Sequence, residues 1–277
     1  MTPETFPYHL AAIDIDDTLV GRDKQISPEN KAAIQTLQAL GCRIILATGR
    51  RHANALSNAR LLGLDDFVVS TQGARAEHAS TGEVIHTATL ESADAKALII
   101  EGRERGFTIL LWLRDEIVAE GAARWIEHYY EQTHDDPVTL ADPLDYLDQA
   151  VEKVVWLQET LEVHAAQVET AARAAGRFNA IMTTNHSLEF TAPRANKDDG
   201  VAAVARYYGI PREAVLAFGD GNNDASMLAW AGLGIAMPHG RSAAHAAADL
   251  IAPEGDHRSA LARGIGEVIK RCGLAVA

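Results

Sequence analysis

The sequence predicts an α/β fold, because apolar runs of strand length alternate with helical patterns over much of the chain. The first run, Leu10–Ile13, is followed by a helical pattern that Ser27 and Pro28 open and Gly41 closes. A serine N-cap, a proline in the first turn and a glycine just past the end are helix-boundary signals. Two more strands are predicted at residues 42–47 and 67–69, with a helix between them up to Gly63. Strands that alternate with helices in this way predict a parallel sheet.

The middle of the chain has a pattern of its own, which predicts a separate inserted domain over residues 82–187. A helix is predicted at residues 92–106 and a strand at 107–113, followed by further helical and strand stretches. After Lys197 the alternation of helix and strand returns. The elements predicted there are a helix up to Gly209, a strand at 215–218, a helix at 223–231, short strands at 234–237 and 250–252, and a closing helix at 259–270.

The composition is that of a globular protein with an acidic surface. Of the 277 residues, 47% are hydrophobic and 23% are charged, which allows a sizeable core. The 38 acidic and 25 basic residues leave a net charge of −13. Because this charge repels nucleic acid and anionic membrane surfaces, we expect neither as a partner.

The cysteines and the N-terminus both predict a cytoplasmic protein. Cys42 and Cys272 are the two cysteines of the chain and form no CxxC pair, which argues against a disulfide framework or a thiolate zinc site. The N-terminus has no basic region, and Asp14 interrupts its apolar stretch, so it does not resemble a signal peptide. No apolar run in the sequence approaches membrane-spanning length.

Two aspartates follow the first predicted strand. Asp14 and Asp16 lie at its carboxyl end, where ligands bind in open α/β sheets. If the chain stays extended through Asp14, the two side chains point to the same side and can address one bound group. An aspartate cluster is also typical of a solvated turn or a helix cap, so this motif needs partners elsewhere in the sequence.

Polar residues also follow two other predicted strands. Thr48 and Gly49 come after the second one, where a hydroxyl and an uncrowded backbone N–H can donate to phosphate, although Thr48 could equally cap the next helix. Residues 219–224, Gly-Asp-Gly-Asn-Asn-Asp, follow the strand at 215–218. They lack the spacing of a calcium loop, which leaves a turn or an oxygen-ligand site for a hard cation. Because the ends of parallel strands converge on one edge, the three segments together predict a single site.

These motifs, in this order, resemble the haloacid dehalogenase (HAD) superfamily of phosphohydrolases. The similar residues are Asp14-Ile15-Asp16 with Thr18 for the first family motif, Thr48 for the second, Lys197 for the third and residues 219–224 for the fourth. The long insert and the segment Ala47-Thr48-Gly49-Arg50 resemble the Cof-like branch, which has a large cap. The resemblance implies a Rossmann-like parallel sheet core over residues 1–81 and 188–277, with residues 82–187 as an inserted α/β cap domain.

The resemblance also implies an activity: a phosphatase that hydrolyses a small phosphorylated metabolite, with sugar phosphates favoured, through an aspartyl-phosphate intermediate. Asp14 would be the nucleophile, and Asp16 would be first the general acid and then the general base. The phosphate would be bound by four residues: Thr48, Gly49, Lys197 and Asn223. Arg50 is expected either to face the substrate or to be solvated in the first helical turn.

A divalent cation is expected in the same site. Four carboxylates around a phosphate would repel one another with Lys197 alone opposing them, and an all-oxygen ligand set favours Mg²⁺. By resemblance, the metal would bind Asp14, the backbone carbonyl of Asp16 and Asp220, while Asp224 would orient the site from behind them.

Some positions depart from the pattern of the Cof-like branch. Gln72-Gly73-Ala74 stands where Asn-Gly-Ala is frequent, Asp198 where glycine often follows the lysine, and residues 256–258, Asp-His-Arg, where Asp-Gly-Val is frequent. None of them is a motif residue, so they bear on substrate contacts and loop shape. Two alternatives stay open: a phosphomutase of the same fold, and a non-catalytic module that binds a phosphorylated ligand. A monomer and a homodimer are both compatible with the sequence.

Overall fold

The computed structural model describes residues 6–114, 116–133 and 138–274, so the predictions that concern residues 1–5 lie outside it. The chain forms two compact units. The first unit combines the residues up to Thr87 with those from Asn196 onward, and the second unit is Ala88–Ala195.

Both units contain strands and helices. The elements in chain order are β1 (Leu10–Ile13), α1 (Pro28–Ala39), β2 (Arg43–Ala47), α2 (His52–Leu61), β3 (Phe67–Ser70), β4 (Arg75–His78), β5 (Val84–Thr87), α3 (Ser92–Glu104), β6 (Thr108–Trp112), β7 (Ile117–Glu120), α4 (Ala123–Thr133), β8 (Val138–Leu140), β9 (Lys153–Leu157), α5 (Thr160–Ala174), β10 (Asn179–Thr184), β11 (Ser187–Thr191), α6 (Lys197–Tyr207), β12 (Val215–Gly219), α7 (Ala225–Trp230), β13 (Leu233–Ala236), α8 (Ser242–Ala247), β14 (Leu250–Ile251) and α9 (Ala260–Arg271). Among the described residues, no helix combines the length and the apolar character that a membrane span requires.

The first unit is built on an eight-stranded sheet in the order β14-β13-β12-β1-β2-β3-β4-β5. The strands from β14 to β3 are parallel, and β4 and β5 continue the sheet as antiparallel strands. Strand β1 lies between β12 and β2, with Ile13 opposite Phe218 on one side and Leu46 on the other. The three strands that precede the predicted motifs are therefore neighbours.

Alternate residues of these strands pack on opposite faces of the sheet. Ala11 and Ile13 of β1 belong to the core that includes side chains of α1, α2 and α9, whereas Leu10 and Ala12 belong to the core that includes those of α6 and α7. Both faces are therefore covered by helices, which is why β1 is apolar throughout its length rather than alternating with polar residues. This arrangement confirms the predicted α/β class.

Helix α1 shows why the boundary signals in the sequence are informative. Ser27 has an extended backbone conformation, and its hydroxyl accepts a hydrogen bond from the backbone N–H of Asn30 at 3.1 Å. This bond satisfies one of the N–H groups that the first turn leaves without an intrahelical partner. Beyond the other end, Gly41 has φ +86°, a left-handed conformation that glycine adopts without steric cost.

The antiparallel strands β4 and β5 were not predicted from the sequence. They move the start of the second unit. Because β5 pairs with β4 in the first sheet, the second unit begins at Ala88 rather than at residue 82. At the other end, β11 pairs with β9 and β10, so the second unit extends to Ala195 rather than to residue 187. Strand pairing, which a local pattern does not reveal, sets both boundaries.

The second unit has a six-stranded sheet of its own, in the order β10-β11-β9-β6-β7-β8. All its pairs are antiparallel except β7 with β8. Trp156 is completely buried in a core with side chains of α3 and α5, and its indole N–H donates to the carbonyl of Leu98 at 3.1 Å. Trp112 is buried in a second core with Trp125 of α4. Both tryptophans are therefore core residues.

Candidate active site

The carboxyl ends of β1, β2 and β12 carry the predicted site residues. Asp14 follows β1, and its backbone N–H donates to the carbonyl of Phe218 in β12 at 3.0 Å. Thr48 follows β2, and its N–H donates to the carbonyl of Val69 in β3 at 2.9 Å. Asp14 and Thr48 are both buried, with 5% and 1% of their surface exposed. The strand pairing thus extends one residue past β1 and β2 and fixes the backbone of both polar residues.

Lys197 links two of the carboxylates. It is the first residue of α6 and is buried, and its Nζ donates to Oδ1 of Asp14 at 2.5 Å and to Oδ1 of Asp224 at 2.6 Å. Burial alone would lower the pKa of Lys197, but the charges of the two aspartates and the hydrogen bonds to them outweigh this effect and raise the pKa above its usual value. Lys197 is therefore a fixed positive charge beside Asp14.

Asp224 holds the loop that follows β12. Its Oδ1 accepts from Lys197, and its Oδ2 accepts from the backbone N–H groups of Asp220 at 3.0 Å and Gly221 at 2.8 Å. A carboxylate that receives several hydrogen bonds is held in one orientation. Asp224 therefore fixes both the ammonium group of Lys197 and the backbone of Asp220.

Asp220 receives a hydrogen bond from Thr18 of the loop after β1, whose Oγ1 donates to Oδ1 at 3.1 Å. Burial raises the pKa of Asp220 to about 7, and the neighbouring charge of Asp224 adds to this effect. Burial and the charge of Asp224 also raise the pKa of Asp14. Both carboxyl groups thus lie where a further positive charge would favour their ionised forms.

Three of the aspartates form an all-oxygen cluster. One carboxylate oxygen from each of Asp14, Asp220 and Asp224 lies within 4.8 Å of the others. Carboxylate oxygens are the ligands that Mg²⁺ and other hard cations prefer. Because both oxygens of Asp224 accept hydrogen bonds, Asp14 and Asp220 are the better placed of the three to bind a metal. The residues present therefore fit a hard divalent cation.

Asp16 forms two ion pairs. The guanidinium of Arg50 donates from Nε to Oδ2 at 2.8 Å and from Nη2 to Oδ1 at 2.7 Å, and Lys24 Nζ donates to Oδ1 at 2.9 Å. Burial opposes ionisation of Asp16, but the hydrogen bonds and charges of Arg50 and Lys24 outweigh it and hold the pKa well below its usual value. Asp16 is therefore a carboxylate in this state, the form that accepts a proton rather than donates one. Arg50 was expected either to face the substrate or to be solvated, whereas in the structure its side chain binds Asp16.

The other predicted residues meet across the loops at the sheet edge. The hydroxyl of Thr48 accepts from the backbone N–H of Arg50 at 3.2 Å, which leaves the hydroxyl proton to be donated elsewhere. Asn223 Nδ2 donates to Oε1 of Gln72 at 2.9 Å. The carboxamide of Gln72 also lies against Gly49, where a Cβ atom would be 2.6 Å from its Nε2. The Gln72 carboxamide thus lies between Asn223 and Gly49.

The contacts of three side chains in the site were not predicted from the sequence: those of Lys24, Thr18 and Gln72. Lys24 follows Asp16 by eight residues in an irregular segment, and no periodic pattern marks it. Thr18 was recognised only as part of a motif, and its bond to Asp220 joins residues 202 positions apart. Gln72 carried a signal, because it departs from the asparagine that is frequent in similar sequences.

Comparison with known proteins agrees with this geometry. The sequence pattern of the haloacid dehalogenase-like hydrolases matches residues 11–265 of the chain, which covers the first unit's motifs and the whole of the second unit. The chain belongs to this family. The resemblance inferred from the four motifs is confirmed, and the HAD fold with it.

Two phosphatases are similar to this chain over most of its length and of their own. The phosphatase YwpJ of Bacillus subtilis is 27% identical over 87% of this chain and 93% of its own length. YitU of the same organism, a 5-amino-6-(5-phospho-D-ribitylamino)uracil phosphatase, is 28% identical over 86% of this chain and 88% of its own. The solved structure of a subclass IIB sugar phosphatase superposes with a TM-score of 0.81 at 23% identity, covering 96% of this chain and 99% of that one. At this identity the structural likeness concerns the fold.

Proposed function

We propose that this HAD-family hydrolase is a magnesium-dependent phosphatase that cleaves a small phosphorylated metabolite through an aspartyl-phosphate on Asp14. One observation carries the proposal: the Asp14 carboxylate is buried at the carboxyl end of β1, bonded to Lys197, with oxygens of Asp220 and Asp224 within 4.8 Å. In-line attack on a phosphate dianion requires a nucleophile close to positive charge. Lys197 supplies one fixed cation, and the aspartate cluster suits a metal ion as the second.

Binding of the phosphate group falls to donors around Asp14. The hydroxyl proton of Thr48, the N–H of Gly49, the ammonium of Lys197 and the carboxamide of Asn223 would donate to its oxygens. Phosphoryl transfer passes through a loose transition state with its charge on the equatorial oxygens, so fixed donors stabilise it directly. Thr48 suits this role because its hydroxyl oxygen accepts from the backbone N–H of Arg50, which leaves the hydroxyl proton to be donated to the phosphate.

Two displacements complete the reaction. An oxygen of Asp14 attacks phosphorus, the bond from phosphorus to the ester oxygen breaks, and Asp16 gives a proton to the departing alkoxide. A water then attacks the phosphoryl group, Asp16 takes its proton, and the bond to Asp14 breaks to release inorganic phosphate. The ionised state of Asp16 suits the second step. For the first step Asp16 must carry a proton, and this is favoured when the substrate phosphate, which binds guanidinium well, draws Arg50 away from it.

Asp14, Asp220 and the backbone carbonyl of Asp16 would hold Mg²⁺. When bound, the cation would offset the charge that builds up on the phosphoryl oxygens. Asp224 would orient the neighbouring groups rather than bind the metal, because its two oxygens accept hydrogen bonds from Lys197 and from the loop after β12. Thr18 fixes the Asp220 carboxylate for the same purpose.

Sugar phosphates are the favoured substrate class, with the second unit as the cap that confers specificity. YitU acts on a compound whose phosphate is carried by a ribityl chain, and the structural neighbour is a sugar phosphatase. The independent sheet and cores of the second unit support its treatment as a domain in its own right. A cytoplasmic enzyme fits the two cysteine thiols, Cys42 and Cys272, which form no disulfide.

The function is tested by incubating the purified protein with Mg²⁺ and a panel of phosphorylated metabolites and measuring inorganic phosphate. Steady release from at least one sugar phosphate, lost in Asp14→Asn, is the expected result. Conversion of one phosphorylated sugar into its isomer without phosphate release would identify a phosphomutase instead. Binding of a panel compound without any turnover would identify a non-catalytic module.

Removal of divalent cations should abolish turnover, because the phosphate dianion would then face several carboxylates with no metal ion to offset their repulsion. Activity should return with Mg²⁺ after chelator treatment and dialysis. Independently of activity, millimolar Mg²⁺ should raise the melting temperature of the wild type, since a ligand that binds only the folded state stabilises it. The shift should be smaller in Asp220→Asn. Full turnover by the metal-free protein would contradict the metal assignment.

A further inference from the structure

The Thr71–Gly73 turn, directly after β3, contacts the segment that follows β2. The backbone N–H of Thr71 donates to the carbonyl of Arg50 at 2.8 Å, and that of Gln72 donates to the carbonyl of Thr48 at 3.1 Å. Both residues are buried. The turn is therefore hydrogen-bonded to the backbone on either side of Gly49.

The same turn also packs against the start of α6. A Cβ atom on Gly73 would lie 2.0 Å from the carbonyl oxygen of Asn196 and 2.8 Å from the backbone nitrogen of Lys197. Any other residue at position 73 would push α6 away, and with it the lysine that binds Asp14. Gly73 also has φ +93°, which glycine adopts readily.

Thr71 and Gln72 are held in conformations that such residues seldom adopt. Their φ angles are +49° and +59°, and a β-branched residue such as threonine is strongly disfavoured there. Conformations of this kind persist only where the surroundings impose them, and they concentrate at functional sites. The backbone of the turn directs the Gln72 side chain over Gly49.

The Gln72 carboxamide spans two of the donors assigned to the phosphate. Its Oε1 accepts from Nδ2 of Asn223 at 2.9 Å, and its Nε2 lies 2.6 Å from the position that a Cβ of Gly49 would take. One N–H of the Asn223 amide is thereby bound to Gln72, which orients the other. Gln72 is buried, with 8% of its surface exposed, so its carboxamide is largely shielded from water.

We propose that Gln72 is a positioning residue of the phosphate pocket, which orients the Asn223 carboxamide beside the Gly49 backbone so that both can donate to one phosphate group. This inference rests on the proposed function, because Gly49 and Asn223 have the roles assigned there. It adds a residue outside the four motifs. An amide donor that is oriented before binding loses less entropy when the phosphate arrives, and therefore contributes more to affinity.

The test is a double-mutant cycle on Gln72 and Asn223, with inorganic phosphate as the probe. Gln72→Met keeps the length of the side chain and removes both polar atoms. We expect the inhibition constant for inorganic phosphate to rise by roughly tenfold and kcat/KM to fall by a similar factor, the loss typical of one hydrogen bond. Adding Gln72→Met to Asn223→Ala should cause little further loss, since the two residues act as one unit.

Two further variants separate positioning from general damage to the fold. Gln158→Met is the matched control, because the Gln158 carboxamide is also hydrogen-bonded, to Trp125, Glu159 and Gly106, but lies in the second unit. This variant should leave the phosphate inhibition constant unchanged. Gln72→Glu keeps the acceptor for Asn223 and places a negative charge over Gly49. It should weaken phosphate binding more than Gln72→Met does, because like charges repel.

The outcomes distinguish this inference from the proposed function. Absence of phosphate release by the wild type on every panel compound would count against the function itself. Phosphate release by the wild type would leave the function standing. In that case, additive losses in the cycle, or an unchanged phosphate inhibition constant in both folded Gln72 variants, would overturn the role of Gln72 alone.

Discussion

Asp14→Asn should reduce kcat by roughly 10⁴-fold or more, the largest effect expected of any single substitution in this protein. An amide has nearly the shape of a carboxylate but is a poor nucleophile, so the first displacement is lost. The fold should persist, because the backbone of Asp14 is held by Phe218 and the amide oxygen can still accept from Lys197. The measurement is steady-state release of phosphate at saturating substrate and Mg²⁺.

Thermal unfolding provides the check on structure. In the metal-free protein, Asp14→Asn should melt no lower than the wild type, because it removes one of three crowded negative charges. Asp65→Asn is the matched control, since Asp65 is 70% exposed in the same unit, and it should retain full activity. Turnover close to that of the wild type in Asp14→Asn would show that another residue is the nucleophile.

Asp16→Asn should depress kcat/KM far more for alkyl phosphates than for p-nitrophenyl phosphate. A sugar alkoxide needs a proton as it departs, whereas p-nitrophenolate hardly does, so only the first class depends on the acid. The difference between the substrates should be roughly 10²–10⁴-fold, or about 3 to 5 kcal/mol at the transition state. The substitution keeps the backbone carbonyl that is proposed to bind the metal.

The choice of kcat/KM matters because it reports the steps up to phosphorylation of Asp14, the first irreversible one. The later hydrolysis depends on the base and should slow for both substrates, which lowers kcat alike. Asp17→Asn is the matched control in the same loop: Asp17 has φ +56°, which asparagine tolerates, and the ratio between the two substrates should not change. Equal losses of kcat/KM for both substrates in Asp16→Asn would remove Asp16 from the acid step.

Local sequence signals were sufficient to predict the elements that depend on neighbours along the chain. Ser27, Pro28 and Gly41 delimit α1 because caps are local interactions, and the apolar run of β1 identifies a strand covered on both faces. The order of strands and helices predicted the parallel sheet, and the parallel sheet predicted that Asp14, Thr48 and Asp220 would converge. Lys197, 183 residues from Asp14, was found through the resemblance of motifs rather than through any local pattern.

Which side chains meet across the sheet edge depends on how distant segments pack in the folded chain. The pairing of Asp16 with Arg50 joins two separate loops, and the Asn223–Gln72 bond joins residues 151 positions apart. The antiparallel strands β4 and β5 likewise depend on pairing with β3, which places the start of the second unit at Ala88. Local propensity records the conformation of each segment, whereas the ionisation of Asp16 and the orientation of Asn223 depend on charges and donors that folding brings from distant parts of the chain.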